Sequence, residues 1–358
     1  MTLAVVRNLG SPRALRSALD EDDFEQEIVD QYALAMAAMG LADSHVAESC
    51  RRVVDLIRFA ERRLWRIDVE DADRYLTHLR RDRNLTPSTV HGYVGAIARF
   101  YDFAIQRYQG DVHALTGCVL AQPIDEFNRP ARANLTRVRV PPPHHDVDLL
   151  FKQWAAALPD ARKYLPAARD YLAASLWRRA GLRITESVML DVRDWRPDLG
   201  EYGKLHVRFG KGSRGRGPAT RLVPMIDGVG ALLEWWFTDV RHQFGDDWND
   251  PDAPLLPSER HDELSGGCAR IGADALRSGL AESVQRWLPS WTGRLTPHAL
   301  RHYCASSLYE RGLDLRAIQA LLGHLWVSTT SHYIHVDAEY LERQWAEANN
   351  RAAARFGL

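Results

Sequence analysis

Between Gly110 and Pro143 a chain that otherwise reads as helix after helix loses its period in Pro123, Asn128, Pro130 and the run Pro141-Pro142-Pro143. Proline lacks the N–H a helix needs and crowds the preceding turn, so this tract is a linker. It divides 358 residues into two stretches of ordinary domain size, and with 46% apolar residues each can bury a core.

Before the break the pattern is helical throughout. Ser44 is placed to cap a helix with Val46, Cys50, Val53, Val54, Ile57 and Ala60 on one stripe, and Asp68 to cap a shorter one running towards Arg81. Thr86 and Pro87 supply an N-cap and a first-turn proline for a helix carrying Val90, Tyr93, Val94, Ile97, Phe100, Tyr101 and Ala104. With a helix over 24–39 these form a four-helix unit. After the linker, helices are expected over 149–157, 164–180, 184–189, 230–242, 268–287, 296–311, 314–322 and 328–335. Residues 204–209 and 221–225 alternate as strands do, and the glycine-rich 210–217 between them reads as a hairpin connection. The acidic stretch 245–267, with its Pro and Gly, reads as a surface loop. The fold class is therefore mainly α with a small antiparallel β-sheet.

Charge is uneven along the chain although the net value is −1. Residues 1–45 hold three Arg against eight acids, a poor candidate for a DNA-binding arm, and 46–110 hold twelve Arg against nine acids. Residues 162–223 carry fourteen basic side chains against six acidic, and 224–265 carry two against ten. Within 204–221 stand Lys204, Arg208, Lys211, Arg214, Arg216 and Arg221 with no acid. That density suits phosphate contact, with a solvated face as the alternative.

Several classes lose support. GxxxxGK[ST], GxSxG and HExxH are all missing, which disfavours nucleotide hydrolysis and the common hydrolases. Cys50, Cys118, Cys268 and Cys304 form no C-x-x-C pair and read as reduced thiols. The apolar run around 32–42 is about half of the ~20 residues a spanning helix needs, and Met1 to Val6 is too short for a signal core. A cytoplasmic protein without a membrane partner is the expectation.

The C-terminal third holds His298, His302, His324, His332 and His335. His298 and Arg301 make an H-x-x-R pair, which alone is weak, since His78 and Arg81 repeat it. Thr296 and Pro297 open a helix that places His298 and Arg301 one turn apart on one face. Gly323 is placed to end the helix before His324, and Tyr333 follows nine residues later. His298 and His302, at i and i+4, have the spacing of a metal pair, but the HExxH glutamate is missing and no metal or other cofactor is assigned. His302 and His335 read as structural.

Together with Ala180-Gly181-Leu182-Arg183-Ile184-Thr185-Glu186 and Gly210-Lys211-Gly212, these segments resemble the tyrosine recombinase (phage integrase) family, over roughly residues 44–345. The resemblance implies an acidic N-terminal segment with a helix (1–43), a helical core-binding, SAM-like domain (44–115), a linker (116–143) and a catalytic domain with a C-terminal tail helix (144–358). Matched to the family's motifs, the catalytic set is Arg183, Lys211, His298, Arg301, His324 and Tyr333, with Glu186 an orienting acid. Ala180 stands where many members have threonine, the acidic loop lengthens the interval from Lys211 to His298, and His332 is an uncommon neighbour for the tyrosine. These departures bear on specificity.

The residue types suit the chemistry the resemblance implies. Arginines fork onto nonbridging phosphate oxygens. A phenol with a pKa near ~10 needs cations and a base to attack. His298 is the candidate base, His324 a donor to the phosphate and Lys211 the acid for the 5′ oxygen. The phosphotyrosyl ester conserves bond energy, so religation needs neither ATP nor metal. The expectation is a site-specific DNA recombinase on inverted half-sites, a tetramer through tail exchange, with room for an accessory protein. A mobile-element integrase, working by DNA integration or transposition, is favoured over a chromosome-dimer resolvase. A catalytically silent DNA-binding regulator and a type IB topoisomerase are the alternatives. Backbone contacts are expected from Arg51, Arg52, Arg62, Arg63, Arg80, Arg81 and Arg83, and from Lys204, Arg208, Arg214, Arg216 and Arg221.

Overall fold

The computed structural model describes residues 17–129, 142–210, 219–245, 248–262 and 266–323. They form two compact units, one within residues 1–136 and one within 137–358.

The first unit is four helices around one core. α1 (Ala18–Ala38) opens on a reciprocal cap between Ser17 and Asp20. α2 (Asp43–Ala60) starts one residue ahead of Ser44, with Ala42 at the N-cap and no side-chain cap. α3 (Val69–Arg81) has the Asp68 cap read from the sequence, closed reciprocally with Asp71. α4 (Pro87–Thr116) is capped by Thr86 and runs 30 residues, past the fading period at Gly110, to a left-handed Gly117. Ile28, Val53, Leu56, Leu79, Ile97, Phe100 and Tyr101 fill the core, and the Tyr101 hydroxyl donates to Leu64 O at 2.9 Å.

The second unit wraps helices around a small sheet. After Pro142-Pro143 come α5 (His144–Ala157), α6 (Tyr164–Arg179) and the five-residue α7 (Ile184–Val188). β1 (Trp195–Arg196), β2 (Lys204–Gly210) and β3 (Ala219–Pro224) form an antiparallel sheet in the order β1-β2-β3, with Leu205 opposite Val223 and Val207 opposite Arg221. Sequence reasoning found β2 and β3; β1 was missed, because two residues carry no alternation.

α8 (Val229–Trp235) does not continue to 242 as a regular helix. It passes into a π-turn over Trp236–Val240 and a 3₁₀ turn over Arg241–Phe244, which bury Trp236, Val240 and Arg241. The expected surface loop is also more ordered than its composition implies. Leu255 and Leu256 are buried, the Leu255 N–H donates to Leu190 O at 2.9 Å, and β4 (Pro257–His261) follows. Its antiparallel partner is β5 (Cys268–Arg270), where a helix was expected from residue 268. The helix starts only after Gly272, as α9 (Ala273–Trp287). α10 (Pro297–Glu310) and α11 (Leu315–Leu322) complete the unit. Trp177, Leu205, Val223, Trp236, Leu300 and Leu322 are core residues. The 328–335 helix lies outside the described residues. Cys50 and Cys118 are half-buried, and Cys268 and Cys304 buried; none of the four is in a disulfide. Among the described residues no helix is long and apolar enough to cross a membrane.

Candidate active site

Arg183 is placed by a turn that few residues tolerate. α6 ends at Arg179, and two residues on, Gly181 takes φ +63°, where a Cβ would lie 2.5 Å from Leu322 Cδ2. Only glycine suits both the left-handed backbone and the contact. The chain then reverses through buried Leu182 into α7, whose N-cap is Arg183. Glu186 closes that cap, accepting the Arg183 backbone N–H at 2.8 Å and its guanidinium Nη1 at 2.6 Å.

Glu186 is the hub. Its carboxylate is fully buried, and Arg221 of β3 grips both oxygens, Nη1 at 3.0 Å and Nη2 at 2.8 Å. Arg301 of α10 lies 3.7 Å from it. Burial alone would raise the Glu186 pKa; the Arg221 hydrogen bonds and charge, then the Arg183 backbone N–H and charge, reverse this and hold it at about 2. Glu186 is thus ionised, and three guanidinium groups against one carboxylate leave the cluster with two positive charges in excess.

Arg301 enters from the second turn of α10, a helix that Thr296 caps through the Ala299 N–H at 3.2 Å. Its side chain is buried; it donates to Gly181 O, and through Nη2 to Leu322 O at 2.5 Å. His298, one turn earlier, is exposed, with its ring edge-on to that of buried His302 at 4.7 Å. The Arg183 side chain is 22% exposed. The site can therefore present guanidinium donors and an imidazole to an anion beside a fixed, ionised carboxylate.

Of the expected catalytic set, the structure brings Arg183 and Arg301 together around the orienting acid Glu186, with His298 one turn from Arg301. Lys211, His324 and Tyr333 lie outside the described residues, as do Arg214 and Arg216. The other basic residues divide sharply. Arg51 pairs with Glu48 and Asp55, Arg52 with Glu48, Arg62 with Asp68 and Asp71, and Arg63 with Glu21, Asp22 and Glu25. Arg208 is held by Asp191 and Asp194, and Arg221 by Glu186. Lys204 is half-buried in β2, whereas Arg80, Arg81 and Arg83 are exposed at the end of α3. Sequence reasoning placed Arg221 among phosphate contacts and missed its grip on Glu186. The signal was available, since Arg221 shares a strand face with Val223 and Met225.

A sequence model of the Phage integrase family matches residues 150–340. Tyrosine recombinase XerC of Nitrobacter winogradskyi is 29% identical over 320 residues, spanning 78% of this chain and 93% of that protein. Its counterpart from Vibrio campbellii is 30% identical over 268 residues, 75% of this chain and 73% of that one. A solved structure of the Tn1549 transposon integrase in complex with transposon right end DNA has a similar fold, with TM-score 0.61 and 17% identity over 90% of this chain and 99% of that chain. The arginine–glutamate cluster lies inside the matched region, and the chain belongs to the phage integrase family, the tyrosine recombinases, enzymes that exchange DNA strands.

Proposed function

We propose that this chain is a site-specific DNA recombinase that cuts and rejoins strands through a 3′-phosphotyrosyl intermediate, with Tyr333 as the nucleophile. The observation that carries the reading is the convergence of Arg183 and Arg301 on one ionised carboxylate, leaving excess positive charge in a family whose chemistry is strand exchange. In the proposed step the Tyr333 oxygen attacks phosphorus and the bond from phosphorus to the 5′ oxygen breaks. His298 takes the phenol proton, and Lys211 gives one to the departing oxygen. Arg183, Arg301 and His324 stabilise the negative charge on the nonbridging oxygens. The ester keeps the energy of the broken bond, so attack by a new 5′ hydroxyl restores DNA without ATP.

DNA with inverted half-sites is the proposed substrate, and four protomers exchanging C-terminal tails the proposed assembly. The Tn1549 transposon integrase was solved in complex with transposon right end DNA, which supports the substrate class. A mobile-element integrase is favoured within the class by the long linker and the acidic insertion over 245–267, with a dimer resolvase as the other member. Cytoplasmic, nucleoid-associated action follows from the substrate.

A nicked duplex bearing the site tests the reading. The native chain should be trapped as a covalent adduct, and Tyr333→Phe should form none while binding the duplex as before. Loss of binding by that variant would make the tyrosine structural, and relaxation of supercoiled plasmid without a defined site would identify a topoisomerase.

A further inference from the structure

We propose that Arg221 is a positioning residue for strand cleavage, joining strand β3, the Glu186 hub and the C-terminal end of α11 at one point. The inference rests on the recombinase reading above. Two Arg221 nitrogens meet the two Glu186 oxygens at 3.0 and 2.8 Å, and its Nε donates to Leu321 O at 2.8 Å. Arg301, 3.7 Å from the same carboxylate, donates to the next carbonyl, Leu322 O. Two guanidinium groups from different elements thus clasp adjacent carbonyls in the last turn of α11 while sharing one anion. Gly323 ends that helix in the left-handed region at φ +65°, and a Cβ there would stand 3.0 Å from Arg221 Cδ and Nη1. His324 is the next residue in sequence. β3 follows directly on the hairpin segment that contains Lys211. Arg221 therefore fixes the ends of the two segments that supply the proposed acid and the proposed phosphate donor.

The competing role, a phosphate contact, needs a guanidinium whose charge is not already matched by a carboxylate, and both terminal nitrogens of Arg221 are on Glu186. The Arg221 side chain is 11% exposed, and three of its nitrogens already donate to protein oxygens. Its planar fork also fits a bidentate carboxylate in a way lysine does not reproduce. Displacement of reacting groups by about 1 Å costs about 100-fold in rate, so loosening this clasp should act on chemistry. Glu186 is faced by Arg183 at the start of α7, Arg221 on β3 and Arg301 on α10. Without Arg221 its protonation moves to higher pH.

The test uses the full chain and a nicked suicide duplex built on the site that the native protein selects from a random-sequence duplex pool. Single-turnover cleavage, duplex Kd and its salt dependence are measured for the native chain, Arg221→Met and Arg221→Lys. Arg221→Met should cleave about 100-fold more slowly with native Kd and salt slope. Its rate should also fail at higher pH on the acid side, and Arg221→Lys should recover part of the rate. A weaker Kd with a salt slope smaller by about one, at native cleavage of the bound complex, would establish a phosphate contact and overturn the inference. A slow Arg221→Met with an unshifted pH profile and no recovery in Arg221→Lys would mark general loss of structure and overturn it too. If Arg221→Met does not fold, Arg221→Lys decides: slower cleavage at native Kd with the raised acid limb supports positioning, and native behaviour refutes it. A native chain that forms no adduct overturns the recombinase reading as well, whereas a reactive native chain with indifferent Arg221 variants overturns this inference alone.

Discussion

Replacing Glu186 by glutamine should destabilise the C-terminal unit by about 3 kcal/mol at neutral pH and by almost nothing near pH 2. The figure follows from the carboxyl's fall from its ordinary 4.5 to about 2 in the folded chain, at about 1.4 kcal/mol for each tenfold change in proton affinity. Burial opposes that fall, and the Arg221 and Arg183 contacts more than offset it. A lowered pKa makes the folded chain the weaker proton binder. The stabilisation is therefore complete above 4.5 and drains away as pH falls towards 2. By linkage the native chain should lose about 2 kcal/mol of it by pH 3, while the glutamine variant, which cannot titrate there, loses none of it. Urea unfolding followed by tryptophan fluorescence suits the measurement, since ten of the eleven tryptophans lie beyond residue 150 and report this unit. The difference between the two proteins is the quantity to follow, because other carboxylates titrate equally in both. A difference that stays constant from pH 7 to pH 3, or one below about 1 kcal/mol at pH 7, would show that Glu186 is not held by its arginines as described.

Arg208→Met removes the cation that holds buried Asp194 and one of the two arginines on Asp191, the other being Arg270. Stranding a buried carboxylate should cost about 3 kcal/mol in urea unfolding, with native adduct formation by the folded fraction; a change under about 1 kcal/mol would show a solvated pair. The exposed trio Arg80, Arg81 and Arg83, changed together to glutamine, should leave stability unchanged and make log Kd for duplex DNA less steep in log salt by about 3. An unchanged slope would remove α3 from the DNA interface.

Legibility in the sequence followed the range of the interactions. Asp68, Thr86-Pro87 and Thr296-Pro297 announced three helix starts because a cap is settled within four residues. β5 was mistaken for helix because its reason for being a strand is β4, seven or more residues away across an acidic loop. Arg51 and Arg52 could have been discounted as open cations, since Glu48 and Asp55 sit at helical spacing beside them. The pairing of Arg63 with Glu21, Asp22 and Glu25 spans about forty residues and left no such trace. At the site, the three-residue interval from Arg183 to Glu186 was readable. The approach of Arg301 depends on α6 packing against α10 and came only through the family resemblance.

Three guanidinium groups around one carboxylate would repel one another, and more acids nearby would be the simplest remedy. The structure uses helix ends instead. Arg301 donates to Gly181 O, just past the end of α6, and to Leu322 O, while Arg221 donates to Leu321 O, both at the end of α11. Carbonyls at a helix C-terminus carry the negative end of the macrodipole, roughly half an elementary charge shared over the last turn. They steady the cations without cancelling them, as an aspartate in the same place would. The remaining charge stays available to an incoming phosphate and needs little rearrangement when that group gains negative charge, the condition under which electrostatic stabilisation is most effective. The same arrangement explains why Gly181 tolerates no side chain: its carbonyl must face Arg301 while its α-carbon lies against Leu322.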